Sequence, residues 1–168
     1  YHASVGAAAP AGGESFKTAT EKFEKARTLF DEVASSYSSM PAGKRARYYS
    51  ALCLIELGRL QEAEEALKQI AAIRDDSSVE PAMASLRLGD VLLVQSRGKE
   101  AAAFFKALLE QPRPGLPRDQ VLFGLGGARE LAGEKLEARR AFTDLANRFP
   151  QSPFAADARE KAEALAIL

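Results

Sequence analysis

Apolar and small side chains recur along this chain at spacings of three and four residues, and one stripe of them recurs four times. Ala26, Ala63, Ala101 and Ala138 stand 37, 38 and 37 residues apart. Four positions beyond each alanine lies Phe30, Leu67, Phe105 or Phe142, and seven beyond lies Val33, Ile70, Leu108 or Leu145. Offsets of 0, 4 and 7 fall on one face of an α-helix, so each unit contains an amphipathic helix presenting one small and two large residues to its neighbours. A period of this length predicts stacked repeats.

The last three units carry a second helix upstream of the first. Its marks are a small residue twelve positions before the alanine, at Ala51, Gly89 and Gly126, and a turn glycine five before it, at Gly58 and Gly133. Such a glycine closes a helix because it adopts the left-handed backbone without a Cβ clash. Residues 131–153, LAGEKLEARRAFTDLANRFPQSP, show the full unit. Glycine ends the first helix, Ala138 lets the second approach it, Phe142 fills the space between, and proline stops the second helix. The middle unit departs from this: Ser96 holds the turn position and glycine follows two later in QSRGKE, which predicts a longer or reshaped turn.

The ends read differently. Phe16, Ala19, Phe23, Ala26, Phe30, Val33 and Tyr37 alternate at three and four, predicting one helix of about 24 residues with an aromatic on the same face every heptad. This helix is read as the second half of a degenerate first unit, and alternatively as a dimerisation helix. SPFAADAREKAEALAIL is expected to cap the array, because a stack of repeats leaves its last apolar face open. Residues 1–14 are small, with glycine and proline, and are expected to be a flexible tether. The resulting organisation is all-α, a right-handed α-solenoid of helix-turn-helix repeats. It comprises a long first helix over 15–40, repeats over 44–77, 82–115 and 119–152, and a capping helix over 153–168.

Charge and chemistry narrow the function. Lysine plus arginine and aspartate plus glutamate number 23 each, so no net field draws in nucleic acid, and Lys44, Arg45 and Arg47 read as a solvated helix start. Cys53 is the single cysteine and lies in the apolar run ALCLIEL, which makes it a core residue and excludes an internal disulfide. The single histidine, His2, falls in the tether, so the folded part offers no histidine base, triad or metal site. Carboxylate pairs such as Glu64 with Glu65 and Asp75 with Asp76 read as solvated faces. GLGG at 124–127 follows no strand and lacks a following GK[ST], so it reads as close helix packing and not as a phosphate loop. No cofactor, metal or catalytic residue is predicted. No stretch reaches the length of an apolar membrane span, and with neither an initiator methionine nor a signal pattern the chain is expected to be part of a longer precursor.

LGDVLLVQSRGKEAAAFFKALLEQP from Leu88, GLGGARELAGEKLEARRAFTDLANRFP from Gly124 and, more weakly, YYSALCLIELGRLQEAEEALKQI from Tyr48 resemble the tetratricopeptide repeat. That pattern runs leucine, glycine, large residue, glycine, alanine, phenylalanine, proline. The tryptophan of the family is absent, and the period exceeds its 34 residues by three or four. The longer repeat ending in RFPQSPFAADA is similar to the bacterial envelope subgroup, which includes outer-membrane assembly lipoproteins, the cell-division coordinator and the ancillary subunit of the Sec translocon. The resemblance implies a concave groove lined by the second, fifth, ninth, twelfth and thirteenth residues of each unit. These are Arg45, Tyr48, Leu52, Ile55 and Glu56; Met83, Leu86, Asp90, Leu93 and Val94; and Gln120, Phe123, Gly127, Glu130 and Leu131. Tyr48, Leu86 and Phe123 form the expected central row. The cationic clamp by which some relatives hold an acidic C-terminus is missing, since Tyr48, Leu52, Arg87 and Met83 take most of its positions. The implied role is a non-enzymatic scaffold that holds protein or peptide partners in an apolar groove, with no nucleic acid. It is expected on the periplasmic side of a bacterial envelope, anchored by an upstream segment, with the cytoplasm as the alternative compartment. The chain's own terminal helix or a second copy would be the self-derived occupant, and a homo-oligomer formed through the heptad helix is the alternative function.

Overall fold

The computed structural model describes residues 16–75, 77–111 and 113–166. The expected tether, with His2, and Asp76 lie outside the described residues. Eight helices and no strand occur among them: α1 (Ala19–Ser36), α2 (Pro41–Glu56), α3 (Leu60–Ala71), α4 (Glu80–Val94), α5 (Gly98–Glu110), α6 (Arg118–Leu131), α7 (Lys135–Arg148) and α8 (Ala155–Ala164). The fold is all-α and built from helix pairs, α2 with α3, α4 with α5 and α6 with α7, preceded by α1 and followed by α8. Two compact units result, α1 to α3 ending at Ile73 and α4 to α8 beginning at Arg74.

In the first unit the heptad spacing overstates the first helix. Phe16 is buried but lies ahead of the helix, and Thr18 takes an extended backbone with φ −137° and ψ 158°. Its hydroxyl accepts the Glu21 N–H at 3.1 Å, a cap that starts α1 at Ala19 and gives 18 residues. Pro41 opens α2, where its missing N–H costs nothing. The Ser50 hydroxyl donates to Asp31 at 2.6 Å, tying α2 to α1, and Tyr49 stacks on Phe30 with ring centroids 5.4 Å apart.

The repeated stripe is the core. Ala63 and Leu67 on α3, Ala101 and Phe105 on α5, and Ala138, Phe142 and Leu145 on α7 are wholly buried. In the second unit, Phe105 fills a slot that only glycine leaves open. A Cβ on Gly89 of α4 would stand 2.3 Å from its ring, and a Cβ on Gly124 of α6 would stand 2.5 Å from it. Gly126 meets Phe142 at 2.4 Å in the same way. The GLGG segment is therefore helix packing, within α6.

The turns correct one expectation. Ser96 adopts φ 60°, beside 70° for Gly58 and 78° for Gly133. Arg97 N–H bonds to Leu92 O at 2.9 Å and Ser96 N–H to Leu93 O at 2.9 Å, matching Arg59 to Leu54 with Gly58 to Ile55, and Glu134 to Arg129 with Gly133 to Glu130. The turn is neither longer nor reshaped; serine carries the left-handed strain that glycine avoids. The second glycine serves a different purpose, since a Cβ on Gly98 would lie 2.9 Å from the Ala132 backbone nitrogen and 3.1 Å from Ala128 O, at the C-terminal end of α6. Ser96→Gly is expected to stabilise the chain by about 0.5–1 kcal/mol, less than the full left-handed penalty because glycine also frees the unfolded chain. A thermal melt with an unchanged or lowered midpoint would refute this.

The extra residues between repeats bring polar ties. Arg113 donates to Pro81 O at 3.0 Å and to the Ser85 hydroxyl at 2.7 Å, Arg118 donates to Leu109 O at 3.0 Å, and Ser152 donates to Asp119 at 2.8 Å. At the end, α8 lays Ala155, Ala158 and Ala162 on α7, with Leu122, Phe142, Leu145 and Ala146 in the same cluster.

Candidate functional site

The expected groove positions lie on the first helix of each pair, and packing divides them into two kinds. Leu86 is only 2% exposed and Tyr48 8%, so these two of the three expected central contacts belong to the core of their own units. On α2 and α4 the fifth position turns inward. Phe123 is half-buried; its ring lies 5.6 Å from Phe142 and 5.1 Å from Phe154, so it bridges α7 and the start of α8. Leu52 and Ile55 in the first unit, and Met83, Asp90, Leu93 and Gln120 in the second, are half-buried, while Arg45 and Glu130 are exposed.

Two of the exposed apolar side chains of the second unit sit at the thirteenth positions, with Val79 at 57% and Leu136 at 59% elsewhere on it. Val94, the last residue of α4, is 65% exposed, and Leu131, the last residue of α6, is 48% exposed. Equivalent places on adjacent, contacting helices carry equivalent side chains. Gly127, the ninth residue of its unit, has no atom within 4 Å of where a Cβ would stand, which leaves open space between Phe123 and Glu130. Around this apolar row the charges are paired. Arg87 donates to Asp90 at 2.8 Å, and Lys161 donates to Glu130 at 3.0 Å. A cavity of about 370 Å³ lies beside the second pair, lined by Glu130, Asp157, Glu160, Lys161, Ala164 and Leu165. The contribution of α8 to this face was missed from the sequence; Asp157 and Lys161, spaced four apart in AADAREKAEAL, are the signal that shows it.

Burial pushes the Asp90 carboxyl above the ordinary carboxylate range, and the neighbouring Arg87 only partly opposes it. A carboxyl with a raised folded pKa favours folding when protonated, so its contribution to stability is present at low pH and is lost as pH rises through the folded value. Asp90→Asn is therefore expected to raise the melting midpoint at pH 7, with the gain shrinking toward about pH 4, the ordinary aspartate value. A midpoint that falls at pH 7 would show that the ion pair with Arg87 outweighs burial.

Burial likewise raises the Cys53 thiol, with Asp31 adding to the effect, which leaves a packed side chain without thiolate character. Among the described residues, no group of three or more His, Cys, Asp or Glu side chains is placed to hold a metal ion. Glu65 lies on a solvated face as expected, but Glu64 does not: it is buried, with its carboxylate 2.7 Å from the Lys68 ammonium. The arrangement offers apolar contact area edged by paired charge, suited to holding a polypeptide segment.

Comparison with known proteins agrees with this architecture. Two family models, both described as tetratricopeptide repeat, match the sequence, one over residues 19–78 and 65–117, the other over 120–152. No curated protein matches. Among solved structures, the nearly identical TPR-like repeats of a Podosopora anserina protein assigned to the kinesin light chains superpose with a TM-score of 0.65 at 16% identity, covering 86% of this chain and 77% of that one. A point variant of the same repeats gives 0.66, also at 16% identity and over the same shares of both chains. A MamA RS-1 ArsTM double mutant gives 0.61 at 20% identity, covering 85% of this chain and 84% of that one. With the first family model alone spanning more than half the sequence, and helix pairs joined by left-handed turns throughout, the chain belongs to the tetratricopeptide repeat family.

Proposed function

We infer that this chain is a non-enzymatic scaffold that holds partner polypeptides on the face presented by α4 and α6 of its second unit. Tetratricopeptide repeats bind protein or peptide partners. The observation that carries the reading to this chain is the pair of exposed apolar residues at equivalent positions, Val94 and Leu131, beside the open space at Gly127. An amphipathic or extended apolar segment suits such a face, while the paired Arg87–Asp90 and Lys161–Glu130 edges set its register. Placement on the periplasmic side of a bacterial envelope, through an anchor upstream, belongs to the same reading. It rests on the likeness of the long repeat ending in RFPQSPFAADA to envelope proteins. Among the described residues, no helix is long and apolar enough to cross a membrane.

The test places a photoreactive benzoylphenylalanine at Val94 or Leu131 in living cells, with Arg139 on α7 as the control position. Protein adducts formed from the first two and not from the third support the reading. Equal adducts from all three, or none from Val94 and Leu131, would end it. Fractionation of the same cells tests the compartment, and recovery in the soluble cytoplasm would remove the envelope part.

A further inference from the structure

Gly127 is the one helical glycine, among the described residues, that neither packing nor backbone conformation requires. A Cβ on Gly43, Gly89, Gly98, Gly124 or Gly126 would stand within 3.0 Å of another group, and the turn glycines Gly58, Gly115 and Gly133 have positive φ. A Cβ on Gly127 would meet nothing within 4 Å, so the position gives up helix propensity with no return inside the chain. What the missing side chain leaves is a recess on α6, with Phe123 one turn before it and Glu130 and Leu131 one turn after. Glycine at such a place lets a ligand approach the backbone closely.

The face continues onto α8. Asp157, Glu160 and Ala164 stand 37 residues beyond Gln120, Phe123 and Gly127, so α8 presents the second, fifth and ninth positions of the same register. All three line the cavity of about 370 Å³ beside Glu130. The fifth position, buried at Leu86 and half-buried at Phe123, is exposed at Glu160. Charge along the face is uneven as a result. Arg87 answers Asp90 on α4 and Lys161 answers Glu130 on α6, while among the described residues neither Asp157 nor Glu160 has an ion-pair partner. The face is thus apolar at Leu131, small at Gly127 and Ala164, and negative at its α8 edge.

We propose that the polypeptide segment held on this face carries a lysine or arginine beside its apolar anchor, the anchor on Leu131 and the cationic stem across Gly127 with its charge toward Asp157 and Glu160. Long basic side chains suit both parts, because the stem covers apolar surface while the head stays with carboxylates and water. The formal net charge of the chain is zero, so a preference for a basic segment arises from this face and not from a global field. The proposal rests on the reading of α4 and α6 as a polypeptide-binding face and adds the chemistry of the occupant.

The probes are three short fluorescein-labelled peptides with one leucine pattern and lysine, glutamine or glutamate at the intervening positions, titrated with the whole chain and read by anisotropy. The lysine peptide should bind about fivefold tighter than the glutamine peptide at low salt, and the glutamate peptide more weakly than either. Asp157→Asn with Glu160→Gln should bring the lysine peptide to the glutamine level and leave the glutamine peptide unchanged. Gly127→Leu should weaken both by filling the recess, and Gly127→Ala, which should raise the melting midpoint, shows that loss of binding is not loss of fold. Equal binding of the lysine and glutamine peptides overturns the proposal; if Leu131→Ser then abolishes both, the polypeptide-binding face itself stands. No binding by the lysine peptide, or no effect of Gly127→Leu, also overturns it. Light scattering that shows a dimer converted to monomer by Gly127→Leu overturns it by making a second copy the occupant.

Discussion

Phe105→Ala should destabilise the chain by about 3–5 kcal/mol, the range for removing a fully buried aromatic ring, and should melt the second unit first. The ring contacts two helices besides its own, so its loss leaves a cavity that α4 and α6 close only by moving together. The glycines on either side give the claim a second handle. Gly89→Ala and Gly124→Ala each set a methyl carbon within 2.5 Å of the ring. Overpacking of this kind costs about 1–3 kcal/mol, which outweighs the gain of about 1 kcal/mol from replacing a helical glycine by alanine. In a Phe105→Leu background the clash is relieved and the same substitutions should become neutral or stabilising. A double-mutant cycle in chemical denaturation measures the coupling. Additive effects would mean that the ring and the glycines do not share one slot.

That slot was legible in the sequence because close packing leaves a fixed mark. An alanine, a large residue four on and another seven on can share only one helix face, and the partner helix must then be small at the crossing, hence Gly89 and Gly126. Turn chemistry was half legible. Gly58 and Gly133 announce a left-handed residue, but Ser96 takes the same conformation at an energetic cost that packing on both sides overrides, so a rule based on residue type predicts a different turn where none exists. The site was least legible. Family register places Tyr48 and Leu86 in the groove, yet whether a fifth residue points outward depends on the crossing of its helix with two neighbours, and here both side chains turn into the core. The thirteenth residues Val94 and Leu131 stay open because each ends its helix, where the following left-handed turn leads the chain away. The opening of α1 depends on a hydroxyl cap at Thr18, which interrupts a heptad pattern that otherwise runs back to Phe16.

Removal of residues 154–168 should lower the melting midpoint sharply and expose apolar surface to a hydrophobic dye. The alanine face of α8 covers Ala146 and Leu122, and the Phe154 ring lies on Phe123, so deletion opens one side of the cluster around Phe142 and Leu145. Exposing even two large side chains forfeits on the order of 4 kcal/mol, a large part of the stability of a domain of this size. The outer positions of α8, Arg159, Glu160 and Glu163, face solvent. Ala158→Asp separates loss of the cap from loss of chain length, since it sets a carboxylate at a position with no exposure and should uncouple α8 while leaving every residue present. Both changes should shift the midpoint in the same direction and raise dye binding together. If the truncated chain melts at the wild-type temperature, α8 is an appendage and the second unit closes its own end through α7.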